Sequence, residues 1–342
     1  MSPPCDLSAW SGESAALARR IAAYVQAALD DAAEPESFDG LAVDVHRWQR
    51  AHDPVVDALT TAPVVDALTV PAVPVALFKD LPVGTLSVDD APAVFRTSGT
   101  TGGGRGAHAL RSTSLYDLGA QGWHRRCVPD APTQVVALLM DPTIAPDSSL
   151  SHMVAGFGAV RWALTPEGLD IEAVRGALRA ARGPLYLAAT AFALAELLEA
   201  GTPPLPAGSV VMVTGGFKGR TVRLSDAELY AEAQRQLAPE RLVTEYGMTE
   251  LSSQLWGAPG QPYRPPRWLR VVAVDPATGA PRPAGEAGQL RFIDLCNLDG
   301  TLAVDTMDEG VVSSDGSVVL HGRLEGAEVR GCSLTVEELW SR

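Results

Sequence analysis

The sequence predicts an α/β protein of layered sheets with a small β-rich subdomain toward its C-terminus, and three patterns predict it. Between residues 135 and 216, short apolar runs alternate with amphipathic stretches, the order expected of a sheet whose ligands sit at the carboxyl ends of its strands. Beyond Tyr263, apolar and polar positions alternate between glycine and proline turns, which is the spacing of strands. Ahead of both lies a stretch with helical periodicity. The expected divisions are an N-terminal helical and extended region over 1–90, an α/β core over 91–262, and a β-rich subdomain with its tail over 263–342.

Taken in order, residues 12–31 align Leu17, Ile21, Val25 and Ala28 along one stripe, so an amphipathic helix opens the fold. A second helix is expected over about 39–60. The segment from Ala62 to Val83 is punctuated by prolines, which remove backbone donors and clash with a preceding helical turn; an extended connection or edge strand is expected there. VVALLM (135–140), PLYLAA (184–189) and VVMVTGG (210–216) read as strands, and IEAVRGALRAA (171–181) and FALAELLEA (192–200) as the helices between them. The run LRVVAVDPATGAPRPAGEAGQLRFIDL supplies the later strands.

Composition narrows the function. With 46% hydrophobic and 20% charged residues over 342 positions, the chain can bury a large core. A net charge of −14 disfavours a sequence-independent grip on nucleic acid or on an anionic membrane. A nucleotide remains compatible, because distant charges are screened over roughly 8 Å and local donors then decide. Four scattered cysteines (Cys5, Cys127, Cys296, Cys332) show no C-x-x-C spacing. With no signal-peptide core and no apolar run of membrane length, a soluble cytoplasmic protein with reduced thiols is expected. Only Lys79 and Lys218 are lysines.

The chemistry concentrates in four segments. FRTSGTTGGGRGAH (95–108) sets the hydroxyls of Thr97, Ser98, Thr100 and Thr101 among Gly99, Gly102, Gly103, Gly104 and Gly106, with Arg105 beside them. Glycines let backbone N–H groups turn onto an anion, hydroxyls add donors, and the arginine adds charge, so the segment is composed as a phosphate cradle. No G-K-[ST] closes it, which excludes the Walker loop, and a plain surface turn has similar composition. The other three are VTGGFKGR (213–220) at the end of a strand, TEYGMTELSSQLW (244–256), and TMDEGVVSSDGSVVLHGRLEGAEVRG (306–331).

In this order the four segments resemble the signatures of the acyl-adenylate-forming enzymes. The first matches T-S-G-T-T-G-x-P-K-G, except that Gly104 stands for the proline and Arg105 for the lysine. The resemblance implies ATP and Mg²⁺. Phosphates would fall to Thr97, Ser98, Gly99, Thr100, Thr101, Gly102 and Arg105, and the adenine turn to Gly215, Gly216 and Phe217. From Y-G-x-T-E, Tyr246 with Gly247 would meet adenine, Thr249 the α-phosphate, and Glu250 the metal. Asp308 matches the ribose-binding aspartate and Arg323 the arginine before the hinge, with Met307 departing from the pattern's glycine.

A narrower resemblance covers nearly the whole chain. FDGLAVDVHRWQRAHDP, PVALFKD, His108 after the loop with Tyr116 beyond it, DSSLSHM, GGFKG, EYGMTE and RGCSLTVEEL are similar to the acyl-protein synthetase family, the fatty-acid-activating component of bacterial luciferase systems. It implies that Cys332 carries the acyl group as a thioester, a role for which the flanking Arg330 favours the thiolate. The 19 residues after Arg323 contain no lysine, so the usual C-terminal lid domain is expected to be absent. Lys218 is then the first candidate for the missing catalytic cation, with Arg105, Arg323 and Lys79 behind it. His108 and His152 are candidates for lining the carboxylate pocket or acting as a base on Cys332, or for structural hydrogen bonding. Trp123, His152, Phe157, Phe192 and Trp256 are candidate pocket walls, suited to a fatty or an aryl acid.

The expected function is ATP-dependent activation of a small carboxylic acid to an acyl-adenylate, followed by transfer to Cys332 or to a partner thiol. Expected acceptors are an acyl reductase or a carrier protein. An acid:CoA or acid:carrier-protein ligase and a non-catalytic acyl-binding subunit are the alternatives.

Overall fold

A computed structural model of the chain describes residues 5–97, 105–216 and 225–324. The chain divides into two compact units, made up of the described residues within Met1–Trp123, Met248–Gln254 and Arg264–Arg342 (unit 1) and within His124–Gly247 and Leu255–Tyr263 (unit 2).

Helix α1 (Gly12–Leu29) buries the predicted stripe of Leu17, Ile21, Val25 and Ala28, with Ala18 and Tyr24 beside it. Each fully buried Leu, Ile or Val contributes about 1.5–3 kcal/mol, so this face anchors the unit 1 core. That core continues through Leu41, Val45 and Trp48 to Trp268, Ile293, Leu295 and Leu302. The single helix expected over 39–60 is instead two, α2 (Phe38–His52) and α3 (Pro54–Leu59). Pro54 cannot continue a helix but fits the first position of a new one, and the Asp53 carboxylate accepts from Val55 N and Val56 N as its cap.

The proline-rich connection contains a two-residue strand, β1 (Val73–Pro74), as well as two 3-10 turns at Ala67–Thr69 and Val75–Lys79 that the extended reading did not anticipate. Strands β2 (Ala93–Arg96) and β3 (Ala107–Leu110) pair antiparallel, and α4 (Ser114–Cys127) follows.

Unit 2 is a seven-stranded sheet. Its elements are β4 (Gln134–Met140), α5 (Ser149–Ala155), β5 (Ala159–Thr165), β6 (Gly168–Leu169), α6 (Ile171–Ala180), β7 (Tyr186–Thr190), α7 (Ala191–Ala200), β8 (Val210–Thr214), α8 (Asp226–Leu237), β9 (Arg241–Tyr246) and β10 (Leu255–Gly257). The strand order is β10-β9-β8-β7-β4-β5-β6, parallel from β9 to β5 and antiparallel at both edges. The chain builds outward from β4 to β5, then crosses to β7 and continues through β8 to β9. That reversal is a topological switch point, outside whose strand ends ligands bind in such sheets. The helices are capped as their sequences allow: Asp170 and Thr190 accept from the first turns of α6 and α7, and Ser225 with Glu228 makes a capping box on α8.

The alternating run after Tyr263 forms β11 (Leu269–Val274), β12 (Ala287–Asp294), β13 (Ala303–Val312) and β14 (Val318–Arg323). They make the main sheet of unit 1 in the order β1-β13-β12-β11, with β14 paired to β13. No helix among the described residues is long and apolar enough to cross a membrane.

Candidate functional site

Of the predicted site residues, Ser98, Gly99, Thr100, Thr101, Gly102, Phe217, Lys218 and Cys332 lie outside the described residues. The others are divided between the two units.

In unit 1, β2 and β3 pair on either side of the segment whose composition was expected to cradle phosphate. Thr97 N donates to Gly106 O at 2.9 Å, and Gly106 N donates to Thr97 Oγ1 at 3.0 Å. A Cβ at Gly106 would stand 3.2 Å from Thr97 Cγ2 and 3.3 Å from Phe78, a tight fit that glycine relieves. Arg105 Nε donates to Thr97 O at 2.6 Å and its Nη2 to Arg96 O at 3.3 Å. The arginine therefore ties down the base of the loop.

The residues 248–254 that join β9 to β10 belong to unit 1. They carry Thr249 and the buried Glu250, in a turn closed by Leu251 N on Met248 O. His108, almost fully buried on β3, donates from Nδ1 to Thr249 O at 2.8 Å. Asn297 Nδ2 donates to Glu250 O at 2.9 Å. Asp294, buried at the end of β12, accepts from Ser252 N at 3.0 Å and from Ser253 Oγ at 2.8 Å. Burial pushes the Asp294 carboxyl up to about 6 against the pull of those donors, and burial pushes the His108 imidazole down despite the Thr249 carbonyl and nearby Asp299.

The β13–β14 hairpin brings two further predicted residues together. Asp308 and Arg323 are register partners, with Arg323 Nε 3.7 Å from Asp308 Oδ1, and Thr306 Oγ1 accepts from Asp308 N at 3.1 Å.

In unit 2, Gly215 follows β8 with φ +67°, a left-handed turn that glycine adopts without strain. Tyr246 ends β9, its ring edge-on to Tyr263 at 6.2 Å, and Gly247 follows it. Sequence reasoning missed Glu245 beside it, a buried carboxylate that accepts from Thr214 Oγ1 across the β8–β9 pair.

Two of the candidate pocket walls, Phe157 and Trp256, join a buried aromatic cluster in unit 2. His124 stacks on Phe157 at 3.8 Å and 10°, and its Nε2 lies 3.1 Å from the Tyr186 hydroxyl. Burial, then Arg125 and Arg241, push the His124 imidazole down to about 3. His124 and Tyr186 also escaped the sequence reading, since a lone histidine near the end of a helix carries no motif. Asn297 and Asp294 were equally silent, although the D-L-C-N-L-D-G run after β12 has the composition of a structured turn.

Among the described residues no group of three or more His, Cys, Asp or Glu forms a metal cluster.

No protein-family model matches the sequence, and no curated protein does. Solved structures do match in fold. One is the ATP-bound MatB of Rhodopseudomonas palustris, 16% identical over 70% of this chain and 49% of its own, with a TM-score of 0.50. A second is the o-succinylbenzoate CoA synthetase MenE of Bacillus subtilis with ATP and magnesium, 16% identical over 71% of this chain and 53% of its own, TM-score 0.51. The same enzyme with its acyl-adenylate intermediate OSB-AMP matches over 70% and 50%, also at 16% identity and TM-score 0.51. The chain spans about half the length of these structures, and what it shares with them is a mixed α/β fold.

Proposed function

We propose that this chain uses Mg-ATP to activate a carboxylic acid, of fatty or aryl type, as an acyl-adenylate and passes the acyl group to a thiol. The observation that carries the reading is the order of four nucleotide-type motifs along a chain whose fold is shared with ATP-bound MatB and with MenE bound to an acyl-adenylate.

In the first step a carboxylate oxygen attacks the α-phosphorus, a new P–O bond forms, and the bond to the β-phosphate breaks to release pyrophosphate. The protein forms no covalent bond here, so positioning and charge stabilisation supply the rate. Thr97 to Gly102 with Arg105 would hold phosphates, Thr249 the α-phosphate, Glu250 the Mg²⁺ ion, and Gly215 to Phe217 with Tyr246, Gly247 and Asp308 the nucleoside. Lys218 is the first candidate for meeting the developing charge, with Arg323 behind it. In the second step a thiolate sulfur attacks the acyl carbon and AMP leaves. Cys332 would supply that sulfur in the manner of an acyl-protein synthetase.

ATP–pyrophosphate exchange over a panel of fatty, aryl and amino acids tests the first step. Exchange with one class is expected, and none with any acid overturns the reading. A hydroxylamine-labile acyl adduct on the intact protein, abolished by Cys332→Ser, is the expected sign of the second step. That MenE is a CoA synthetase favours one alternative, acid:CoA ligation. CoA-dependent release of AMP without a protein adduct would select it.

A further inference from the structure

We propose that His108 and Asn297 are positioning residues for the turn that carries Thr249 and Glu250, and that Gly300 lacks a side chain in order to seat the His108 ring. The proposal rests on the nucleotide-binding reading of Thr249 and Glu250.

Successive carbonyls of that turn are each held by a side chain from elsewhere in unit 1. Thr249 O accepts from His108 Nδ1 at 2.8 Å, and Glu250 O from Asn297 Nδ2 at 2.9 Å. Fixing two adjacent peptide planes fixes the direction in which their side chains leave, and small misplacements of such groups cost large factors in rate.

Both supports are braced in turn. Asn297 Nδ2 also donates to Thr301 O at 3.1 Å, and Gln49 Nε2 donates to Asn297 O and Leu298 O while its Oε1 accepts from Leu302 N. Asp299, next in the same loop, accepts from Trp10 Nε1 and from Arg111, and its carbonyl accepts from Thr85 N. The 297–302 loop is a rigid shelf for the turn.

The choice of histidine at 108 is the telling detail. With Nδ1–H given to a carbonyl, the proton sits on Nδ1 and Nε2 is a bare acceptor, which has no hydrogen-bond partner among the described residues. A buried acceptor left unpaired is costly, and a phenylalanine would fill the space without that cost. The imidazole therefore stands there for its Nδ1 donor. Gly300 makes the room: a Cβ on it would come within 2.9 Å of Nε2 and 3.3 Å of Cδ2. Through that Nδ1 hydrogen bond His108 acts on the site by way of Thr249.

The test compares His108→Asn, whose amide nitrogen can replace Nδ1–H, with His108→Phe, which keeps bulk and loses the donor, and with Asn297→Asp and Gly300→Ala. Two measurements are made on the full chain: hydrogen exchange of residues 247–254 without ligand, and the KM for Mg-ATP and kcat in pyrophosphate exchange. His108→Phe and Asn297→Asp are expected to speed exchange at 247–254 at least tenfold while α1 and α2 stay protected, and to raise the KM for Mg-ATP about tenfold or more. Gly300→Ala should fall between, and His108→Asn should stay close to wild type.

Unchanged exchange at 247–254 in His108→Phe and Asn297→Asp overturns the proposal. So does faster exchange with KM and kcat both unaltered, or a His108→Asn as impaired as His108→Phe. If His108→Phe does not fold, Gly300→Ala and Asn297→Asp carry the comparison. Failure of the wild-type chain to bind Mg-ATP or to exchange pyrophosphate overturns the underlying nucleotide reading instead, and hydrogen exchange still decides whether the two side chains hold the turn.

Discussion

Asp308 and Arg323 face each other across the β13–β14 hairpin, with Nε and Oδ1 3.7 Å apart, although fifteen positions separate them in the chain. The Arg323 side chain is 56% exposed while that of Asp308 is only 15% exposed. A half-exposed pair of this length adds about 0–1 kcal/mol to stability. If Asp308 binds ribose hydroxyls, its charged hydrogen bonds are worth about 1.5–3 kcal/mol, roughly a 10- to 100-fold change in affinity. Asp308→Asn is therefore expected to raise the KM for ATP by that factor and leave the melting temperature within a few degrees of wild type. Equal KM values for the two proteins would remove Asp308 from the nucleotide site.

Local periodicity made much of the fold legible. The α1 stripe, the alternation of strands and helices in unit 2, and the strands after Tyr263 all follow from spacing that a chain cannot hide. The break between α2 and α3 was missed, because periodicity on either side concealed the Asp-Pro at 53–54, a cap followed by a first-turn proline. The site divides in the same way. Short contiguous motifs mark Thr97, Gly215, Tyr246 and Glu250. Of the supports of the 248–254 turn, His108 drew notice by its place after the loop but its pairing did not, and Asn297 went unnoticed, because His108 lies 141 positions from Thr249 and Asn297 47 from Glu250. Only the folded chain makes those pairs neighbours.

Glu250 is expected to act through its charge. Glu250→Gln keeps shape and hydrogen-bonding reach, so the buried position should tolerate it with a modest loss of stability. If the carboxylate holds Mg²⁺, pyrophosphate exchange should fall by about 10²- to 10³-fold, and more magnesium should be needed for half-maximal rate. A Glu250→Gln protein with the wild-type magnesium dependence would place the ion elsewhere.

One buried group in each unit, His124 and Asp294, is expected to respond to acid with opposite sign. In unit 2, His124 titrates at about 3 when folded, well below the ordinary 6.5. The unfolded chain therefore binds the proton first, and stability present above pH 6.5 is lost as pH falls toward 3, at about 1.4 kcal/mol per pH unit. In unit 1, Asp294 titrates at about 6 when folded against an ordinary 3.8, so the folded form binds the proton first. Its contribution is fully present below about pH 4 and declines as pH rises through 6. Hydrogen exchange of β4 and β7, followed from pH 7 to 4, should show weakening protection that His124→Phe largely removes. In unit 1 the Asp294 titration is opposed by His46 and His108, which burial also pushes down, so it is read as the change that Asp294→Asn makes to the pH dependence of β12 protection. A β4 and β7 profile that His124→Phe leaves unchanged, or a β12 profile that Asp294→Asn leaves unchanged, would contradict the respective assignment.

Gly215 and Gly216 separate a backbone requirement from a steric one. Gly215 has φ +67°, and a Cβ there would meet no atom of the described residues within 4 Å, so Gly215→Ala should cost the left-handed penalty of about 1–2 kcal/mol. That corresponds to roughly 2–8 °C in melting temperature for a unit of this size. Gly216 has ordinary φ, but a Cβ there would lie 3.0 Å from Asp226 Oδ2, the end of a flexible side chain at the first residue of α8. Gly216→Ala should therefore melt close to wild type while displacing that carboxylate. If the turn packs on adenine, both variants should raise the KM for ATP. Only Gly215→Ala should also melt early. The reverse order of melting temperatures would show that side-chain crowding, and not backbone conformation, sets the requirement for glycine after β8.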